Sequence, residues 1–258
     1  MAHNLTKTSD MNSGEIMWEH GAMDMSVAGD RANPLARVRD QPVTVAAIED
    51  LTRWYRRLTF DAPGLFADAA PLPGAYCLLG VPDLAGTNQV QRAYTLLNVT
   101  PTGFCLDFVL HSPPGPGCAW AARARAGETA AVSLPPYMLR LPAVPYALLI
   151  GDATAIPALW SISAALGPAV GVTTLIAEAR ADREQIGLPP GARWVDSLDT
   201  AMLAGAAGGV DPADCFLWAA GERRLAKAVR EFARSQFPVP REHQHIQTYW
   251  IAGEPGEG

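Results

Sequence analysis

Arg92, Tyr94 and Thr95 stand close together in QRAYTLLNV (91–99), a run otherwise apolar enough to read as a buried strand. A guanidinium there is costly unless something pairs with it. Two partners suit it. A protein carboxylate would make a structural Arg–Asp pair, with Tyr94 a core residue. A diphosphate would be gripped through two parallel N–H···O bonds. On a strand, Arg92 and Tyr94 share one face and Thr95 takes the other. A tyrosine ring can lie against a flat heteroaromatic ligand, and a threonine hydroxyl can reach a ring nitrogen. These residues alone leave both readings open.

Three further stretches carry polar groups at strand ends. LDFVLHSPPGPGCAWAARA holds Asp107, Val109 and His111 on a strand, then a glycine-rich loop, then a helix predicted to begin near Cys118. Free N–H groups at a helix start attract anions, and Gly115 and Gly117 let a phosphate approach the backbone. In LLIGDATAIPALW a buried strand runs into Gly151 and Asp152, and Pro157 stands in the first turn of a helix. That is where open α/β sheets bind ligands, although the G-x-G-x-x-G fingerprint is absent. WAAGERRLAKAVREF repeats strand, glycine and helix, with Gly221 and Glu222 at the turn. Read alone, each of these is an ordinary strand–loop–helix connection. His243 and His245 share a face at the start of the last strand, where a polar strand edge accounts for them better than a metal pair.

The elements that position these residues change character along the chain. From Gln41 to about Leu141, short strands follow at close spacing, punctuated by Gly and Pro, as in RWYRRLTFDAP, where Trp54, Leu58 and Phe60 alternate. This predicts a small antiparallel barrel. From about Ala143, apolar strands alternate with helices, which predicts a parallel α/β sheet. The expected organisation is a disordered tail over 1–36, a β-barrel domain over 37–142 and an α/β domain over 143–258. The first residues lack the basic start and apolar core of a signal peptide. A formal charge of −6 argues against nucleic-acid or anionic-membrane partners. The four cysteines form no C-x-x-C pair, so neither a cluster nor a structural zinc is expected, and a reduced, cytoplasmic setting fits.

Taken together and in order, the four stretches resemble the siderophore-interacting proteins, the FAD-dependent ferric-siderophore reductases of the ferredoxin–NADP reductase-like superfamily. The resemblance runs from about Arg37 to Gly253. RAYT is similar to that family's R-x-Y-T, DFVLH with GPGCAWA to its D-F-V-x-H…G-P-A-S-x-W-A, GDATAIPA to its G-D-E-T-A-x-P-A, and AAGE and the terminal YW..G to its A-G-E and G-Y-W-R-R-G. The resemblance implies that Arg92 holds FAD phosphate, Tyr94 packs on the isoalloxazine and Thr95 contacts its redox edge. It implies that Asp107, Val109 and His111 line the flavin, and that Gly117, Cys118 and Trp120 lie at its pyrophosphate and adenine side. Gly151, Asp152, Thr154, Ala155, Pro157, Gly221 and Glu222 would face NADPH or NADH, and Tyr249 and Trp250 would close the site.

The chain departs from the pattern at Leu97, Cys118, Ala153, Ile251 and Ala252. The family meets anionic siderophores with basic residues. Here the terminal pair is uncharged, and Arg53, Arg56, Arg57 and Arg140 are the candidate substitutes. Arg180, Arg183, Arg223 and Arg224 stand where a 2′-phosphate could be met, which leans the expectation toward NADPH. The implied activity is NAD(P)H-dependent reduction of a small-molecule ferric chelate by a monomer. The alternative is a repurposed scaffold that binds another ligand or catalyses a non-redox step.

Overall fold

Alternation builds the first half of the chain. In β1 (Gln41–Thr52), Val43 and Val45 are buried with Thr44 between them. In β2 (Tyr55–Asp61), Leu58 and Phe60 are buried, and in β3 (Tyr76–Pro82), Cys77, Leu79 and Val81. β4 (Gln89–Thr95), β5 (Leu97–Thr100), β6 (Gly103–Val109) and β7 (Thr129–Ser133) complete a seven-stranded antiparallel sheet in the order β4-β3-β7-β1-β2-β6-β5. The computed structural model describes residues 38–67 and 69–253, so the tail expected over 1–36 lies outside the described residues.

The sheet must curl. Its two outermost strands, β4 and β5, are joined by Leu96 alone. A flat sheet of this order would separate them by roughly 29 Å, six inter-strand spacings of about 4.8 Å, which a single residue cannot bridge. QRAYTLLNVT, which reads as one strand in sequence, is therefore two strands meeting at a corner. Leu96 is buried and its N–H is held by the Ala75 carbonyl. The concave face packs Phe60, Phe104, Phe108 and Leu79 against Trp120 of helix α1 (Pro116–Arg123).

The second half is a parallel five-stranded sheet. β8 (Tyr146–Asp152), β9 (Gly171–Ala177), β10 (Ala192–Val195), β11 (Cys215–Glu222) and β12 (Gln244–Trp250) lie in the order β10-β9-β8-β11-β12. β8 and β11 are central and almost wholly buried, as their continuous apolar runs require. One face packs on α2 (Ile156–Leu166) through Leu149, Trp218, Ile156 and Leu159. The other packs on α3 (Thr200–Ala206) and α4 (Arg223–Ser235) through Ile150, Leu217, Leu203 and Phe232. Strand order reverses between β8 and β11, so the carboxyl ends of these two strands flank the switch point of the sheet.

The two sheets share a core. Trp54 and Tyr55 join the cluster on the α2 face. Trp54 sits in the β1–β2 turn, outside the alternation of Leu58 and Phe60. It donates from Nε1 to Asp182 at 2.5 Å, and the Arg180 guanidinium lies 4.4 Å from its ring centre. Among the described residues no helix is long and apolar enough to cross a membrane.

Candidate functional site

In β4, Arg92 and Tyr94 pair in register with Leu79 and Cys77, whose side chains point into the barrel core; Thr95 pairs with Tyr76. Arg92 is half-buried and donates only to the neighbouring Gln91 carbonyl, at 2.7 Å. It makes no ion pair among the described residues. Tyr94 lies on Phe108, ring centres 4.3 Å apart, and its hydroxyl occupies the space above Gly117. A Cβ on Gly117 would stand 2.0 Å from that hydroxyl, so glycine is needed for the approach. Burial, then the neighbouring Cys118, push the Tyr94 phenol up, and Arg92 opposes them. Helix α1 starts at this point behind Gly115, which offers no side-chain cap, with Pro116 at its first position. Its first N–H groups therefore have no side-chain acceptor.

The carboxylate that could have answered Arg92 is used elsewhere. Asp107 pairs with Arg57 across β2 and β6 through two bonds, 2.7 and 2.8 Å, and accepts a third from the Tyr55 hydroxyl at 2.9 Å. Its side chain is 1% exposed. The Asp107 carboxylate, expected to line the flavin, is thus held by Arg57 and Tyr55. Val109 packs toward the core shared by the two sheets. His111 is exposed, and its Nδ1 lies 2.7 Å from the Pro113 carbonyl. The Cys118 thiol turns back to the His111 backbone, accepting from its N–H at 3.3 Å. Trp120, expected at the adenine side, is turned into the core instead. It is 3% exposed, nearly parallel to Phe60, and its Nε1 donates to Glu128 at 2.8 Å. Its helical spacing with Ala121 and Ala124, also buried, is the sequence signal for that orientation.

At the switch point, Asp152 gathers three strand ends. Its carboxylate accepts from the Thr154 N–H at 2.9 Å and from the Thr154 hydroxyl. Its other oxygen accepts from the Glu222 N–H and Trp250 Nε1, both at 2.8 Å. Burial raises its pKa despite these donors. Gly221 has φ +145°, and a Cβ there would lie 2.5 Å from the carboxylate, so the close approach of β8 and β11 needs glycine. Gly151, Ala155 and Pro157 are buried around the same turn, and Glu222 caps α4 by accepting from the Arg224 N–H. Thr95 and Tyr249 are neighbours: burial pushes the Tyr249 phenol up, and the nearby Thr95 side chain opposes that shift. Thus Thr95, Asp152, Tyr249 and Trp250 form one neighbourhood, with Arg92, Tyr94 and Gly117 on the other face of β4.

Two site residues lay beyond the sequence reading. Tyr76 and Tyr137 meet edge to face with ring centres 5.8 Å apart, beside Tyr249. Both lie in stretches read only as strand or linker. Most candidate arginines are occupied. Arg53 pairs with Asp182, Arg56 with Asp50 and Arg57 with Asp107. Arg180 is bound to Glu178, and Arg183 to Asp196 and the Glu178 carbonyl. Arg140 is exposed and makes no ion pair among the described residues. No group of three His, Cys, Asp or Glu among the described residues is placed to hold a metal ion. His245 instead lies parallel to Trp218 on the adjacent strand.

Comparison with known proteins bears on this geometry. The family model described as siderophore-interacting FAD-binding domain matches residues 82–138, and that described as siderophore-interacting protein matches residues 144–253. The mycobactin import ATP-binding/permease protein IrtA of Mycolicibacterium smegmatis is 34% identical over 225 residues, covering 83% of this chain and 26% of that protein. The chain thus spans about a quarter of the length of the curated relatives it matches. The siderophore-interacting protein SipS of Aeromonas hydrophila superposes with a TM-score of 0.71 at 23% identity, covering 84% of this chain and 93% of that one. A ferredoxin NADP+ reductase of Neisseria gonorrhoeae with bound FAD and NADP superposes with a TM-score of 0.62 at 13% identity, covering 81% and 98%. Two matching family models, set on a curled antiparallel sheet followed by a doubly wound parallel one, lead to one conclusion: the chain belongs to the siderophore-interacting protein family, on the fold of the ferredoxin–NADP reductases.

Proposed function

We propose that the protein is an FAD-containing, NAD(P)H-dependent reductase that reduces chelated Fe(III) and thereby releases Fe(II). The observation that carries this reading is the unpaired Arg92 on the same strand face as Tyr94, whose hydroxyl meets the uncapped start of α1 at Gly117, on the strand whose last residue, Thr95, neighbours Tyr249. The residues present fit a dinucleotide. A half-buried guanidinium without a carboxylate and the N–H groups of Gly117 and Cys118 at the helix start together suit phosphate. The Gly117 cradle fixes Tyr94 beside them.

Arg92 and the first turn of α1 would hold the FAD phosphates, Tyr94 would cover the ring, and Thr95, Tyr249 and Trp250 would border its redox edge. Gly151, Thr154, Ala155, Pro157, Gly221 and Glu222 would face the nicotinamide. When bound, FAD supplies the change from two-electron hydride uptake to single-electron delivery. Overall, NAD(P)H and two Fe(III) become NAD(P)+, one proton and two Fe(II). Hard-oxygen ligands hold Fe(II) less tightly than Fe(III). The chain's own residues bind and orient. Asp152 is a positioning residue: through Trp250 Nε1 and the Glu222 N–H it fixes both borders of the nicotinamide side. No side chain is assigned a proton. The non-redox scaffold gains no support from two of the departures, since Cys118 is bonded to the His111 backbone and Ala153 is buried packing.

The test is anaerobic addition of NADH or NADPH to FAD-loaded protein, followed by a ferric chelate. Bleaching of the flavin band and chelate reduction faster than free FAD gives are expected. A band that stays oxidised, or a rate equal to that of free FAD, overturns the proposal.

A further inference from the structure

A chain of side-chain contacts runs from the first sheet to a strand end of the second. Trp54 is its root. The residue is 5% exposed, its N–H is held by the Thr52 hydroxyl at 3.2 Å and its carbonyl by the Leu110 N–H at 2.7 Å, so the β1–β2 turn fixes where the indole stands. Tyr55 meets the ring edge to face, centres 5.7 Å apart. Two residues that follow β9 bind it from the other sheet. Asp182 accepts from Nε1, and the Arg180 guanidinium lies over the ring.

Arg180 passes the contact on. Its Nη1 donates to one carboxylate oxygen of Glu178 and its backbone N–H to the other, both at 3.0 Å. Glu178 follows Ala177, the register partner of Asp152, so it belongs to the same sheet edge as Gly151 and Asp152. In open α/β sheets a carboxylate at such a strand end takes a ribose hydroxyl. Each oxygen of Glu178 has accepted one bond from Arg180 and has capacity for another, so two neighbouring hydroxyls can be met together. A glutamate free to rotate would lose rotamer entropy on binding them; this one is already fixed. Arg180 is 38% exposed, and its place over the indole face, where the ring attracts a cation, holds the guanidinium to Glu178.

We infer that Trp54, in the flavin-side sheet, is a positioning residue of the nucleotide site: through Arg180 it holds the Glu178 carboxylate in place for the ribose diol of an adenine nucleotide. This rests on the reading that the strand ends take a nicotinamide dinucleotide, but the binding can be measured without electron transfer. AMP carries the diol, and 2′-deoxy-AMP lacks one of its hydroxyls. Calorimetric titration of the full chain, with excess FAD present to occupy its own site, gives the ratio of the two affinities. The parent is expected to bind AMP about tenfold more tightly than 2′-deoxy-AMP. Trp54→Leu keeps an apolar side chain in the core but removes the indole face, and the ratio should fall to within about twofold of one. Arg180→Ala, at a partly exposed position, should do the same. Trp54→Phe keeps an aromatic face under the guanidinium and should retain a ratio above about fivefold. A joint that only held the sheets together would cost stability in both Trp54 variants and leave the ratio alone.

A ratio near one in the parent, or a tenfold ratio that survives Trp54→Leu or Arg180→Ala, overturns the inference. So does loss of the ratio in Trp54→Phe, which would make the Asp182 bond, and not the ring, the part that matters. Should Trp54→Leu fail to fold, Arg180→Ala decides alone. The two readings fail separately. Flavin bleached by NADH in a protein with a flat ratio sinks the positioning role alone. A ratio that Trp54→Leu abolishes, beside a flavin that never bleaches, sinks the reductase alone.

Discussion

Two arginines of one sheet have opposite surroundings. Arg57 faces Asp107 across β2 and β6 through paired bonds, and Tyr55 completes the set. Arg92, on the edge strand β4, has no carboxylate, only a backbone carbonyl next to it, and a helix start whose N–H groups also lack side-chain acceptors. The first region is complete in itself, its charges satisfied by the chain. The second is complete only with an external anion. A buried or half-buried arginine is therefore no signal by itself; whether the fold supplies its carboxylate decides between architecture and binding.

Exchanging the roles is the strongest way to break this comparison. Asp107→Ala leaves Arg57 uncompensated and removes the acceptor of the Tyr55 hydroxyl. A stability loss of about 3–5 kcal/mol is expected in urea denaturation. Arg92→Ala should leave stability within about 0.5 kcal/mol and raise the FAD dissociation constant about 10- to 100-fold, the equivalent of roughly 1.5–3 kcal/mol for a charged hydrogen-bonded contact. If Arg92→Ala unfolds the protein and Asp107→Ala only loosens FAD, the two regions have been assigned the wrong way round.

Asp152 supplies the same contrast in the second sheet, as a carboxylate satisfied by four donors yet without a cation. Asp152→Asn replaces one acceptor oxygen by an amide that cannot accept, setting two donors against a third. A loss of about 2–4 kcal/mol follows from groups left unpaired. Its pH dependence has a definite sign. Burial raises the folded-state pKa above the ordinary carboxylate value, so the folded protein binds this proton more readily than the unfolded chain. Stability from this group is full below the unfolded pKa and is lost as pH rises through the folded one. Subtracting the pH profile of Asp152→Asn from that of the parent should leave a downward step beginning near pH 4, roughly the unfolded carboxylate pKa. A difference that rises with pH would show that the four donors outweigh burial.

A smaller effect tests the cradle. Gly117→Ala places a methyl 2.0 Å from the Tyr94 hydroxyl, and the free end of that side chain can move aside. Stability should change by no more than about 1 kcal/mol, while displacement of Tyr94 should weaken FAD about tenfold. Unchanged FAD affinity would remove Tyr94 from the binding surface.

How much of this was legible beforehand depends on whether the information is local. Alternation gave the strands of the first half, and buried runs followed by glycine and helix gave β8 and β11. The expected separation of Arg92 and Tyr94 from Thr95 follows from the strand period and agrees with the register. What failed was non-local. Arg57 faces Asp107 because β2 and β6 are in register, and no spacing within either strand encodes that pairing. QRAYTLLNVT reads as continuous because Leu96 is as apolar as its neighbours, although the curl of the sheet makes it a corner. Helix α3 is only seven residues long and went unread. For Trp120 the two signals diverge: the motif suggested a ligand role, while its helical spacing indicated the core position it occupies.

The smallest expected effect concerns the nicotinamide. Sequence position alone offered Arg180, Arg183, Arg223 and Arg224 to a 2′-phosphate and so leaned toward NADPH. The structure commits the first two. Arg180 is bonded to Glu178 at 3.0 Å and lies over the Trp54 ring, and Arg183 reaches the Glu178 carbonyl and, at 2.8 Å, Asp196. Recruiting either would break an existing pair and leave the buried side of Glu178 beside an incoming dianion. Glu178 also directly follows β9, the neighbour of β8 in the sheet, and a carboxylate at such a strand end suits a ribose diol better than a phosphate. The ratio of NADH to NADPH rates in flavin reduction should therefore lie within about threefold of unity or favour NADH, and Arg180→Ala should leave it unchanged within about twofold. Binding of 2′-phospho-AMP against AMP by calorimetry gives the same comparison without flavin. A tenfold preference for the 2′-phosphate that vanishes in Arg180→Ala would show that the ion pair opens for the ligand, and that Arg180 belongs with Arg92 rather than with Arg57.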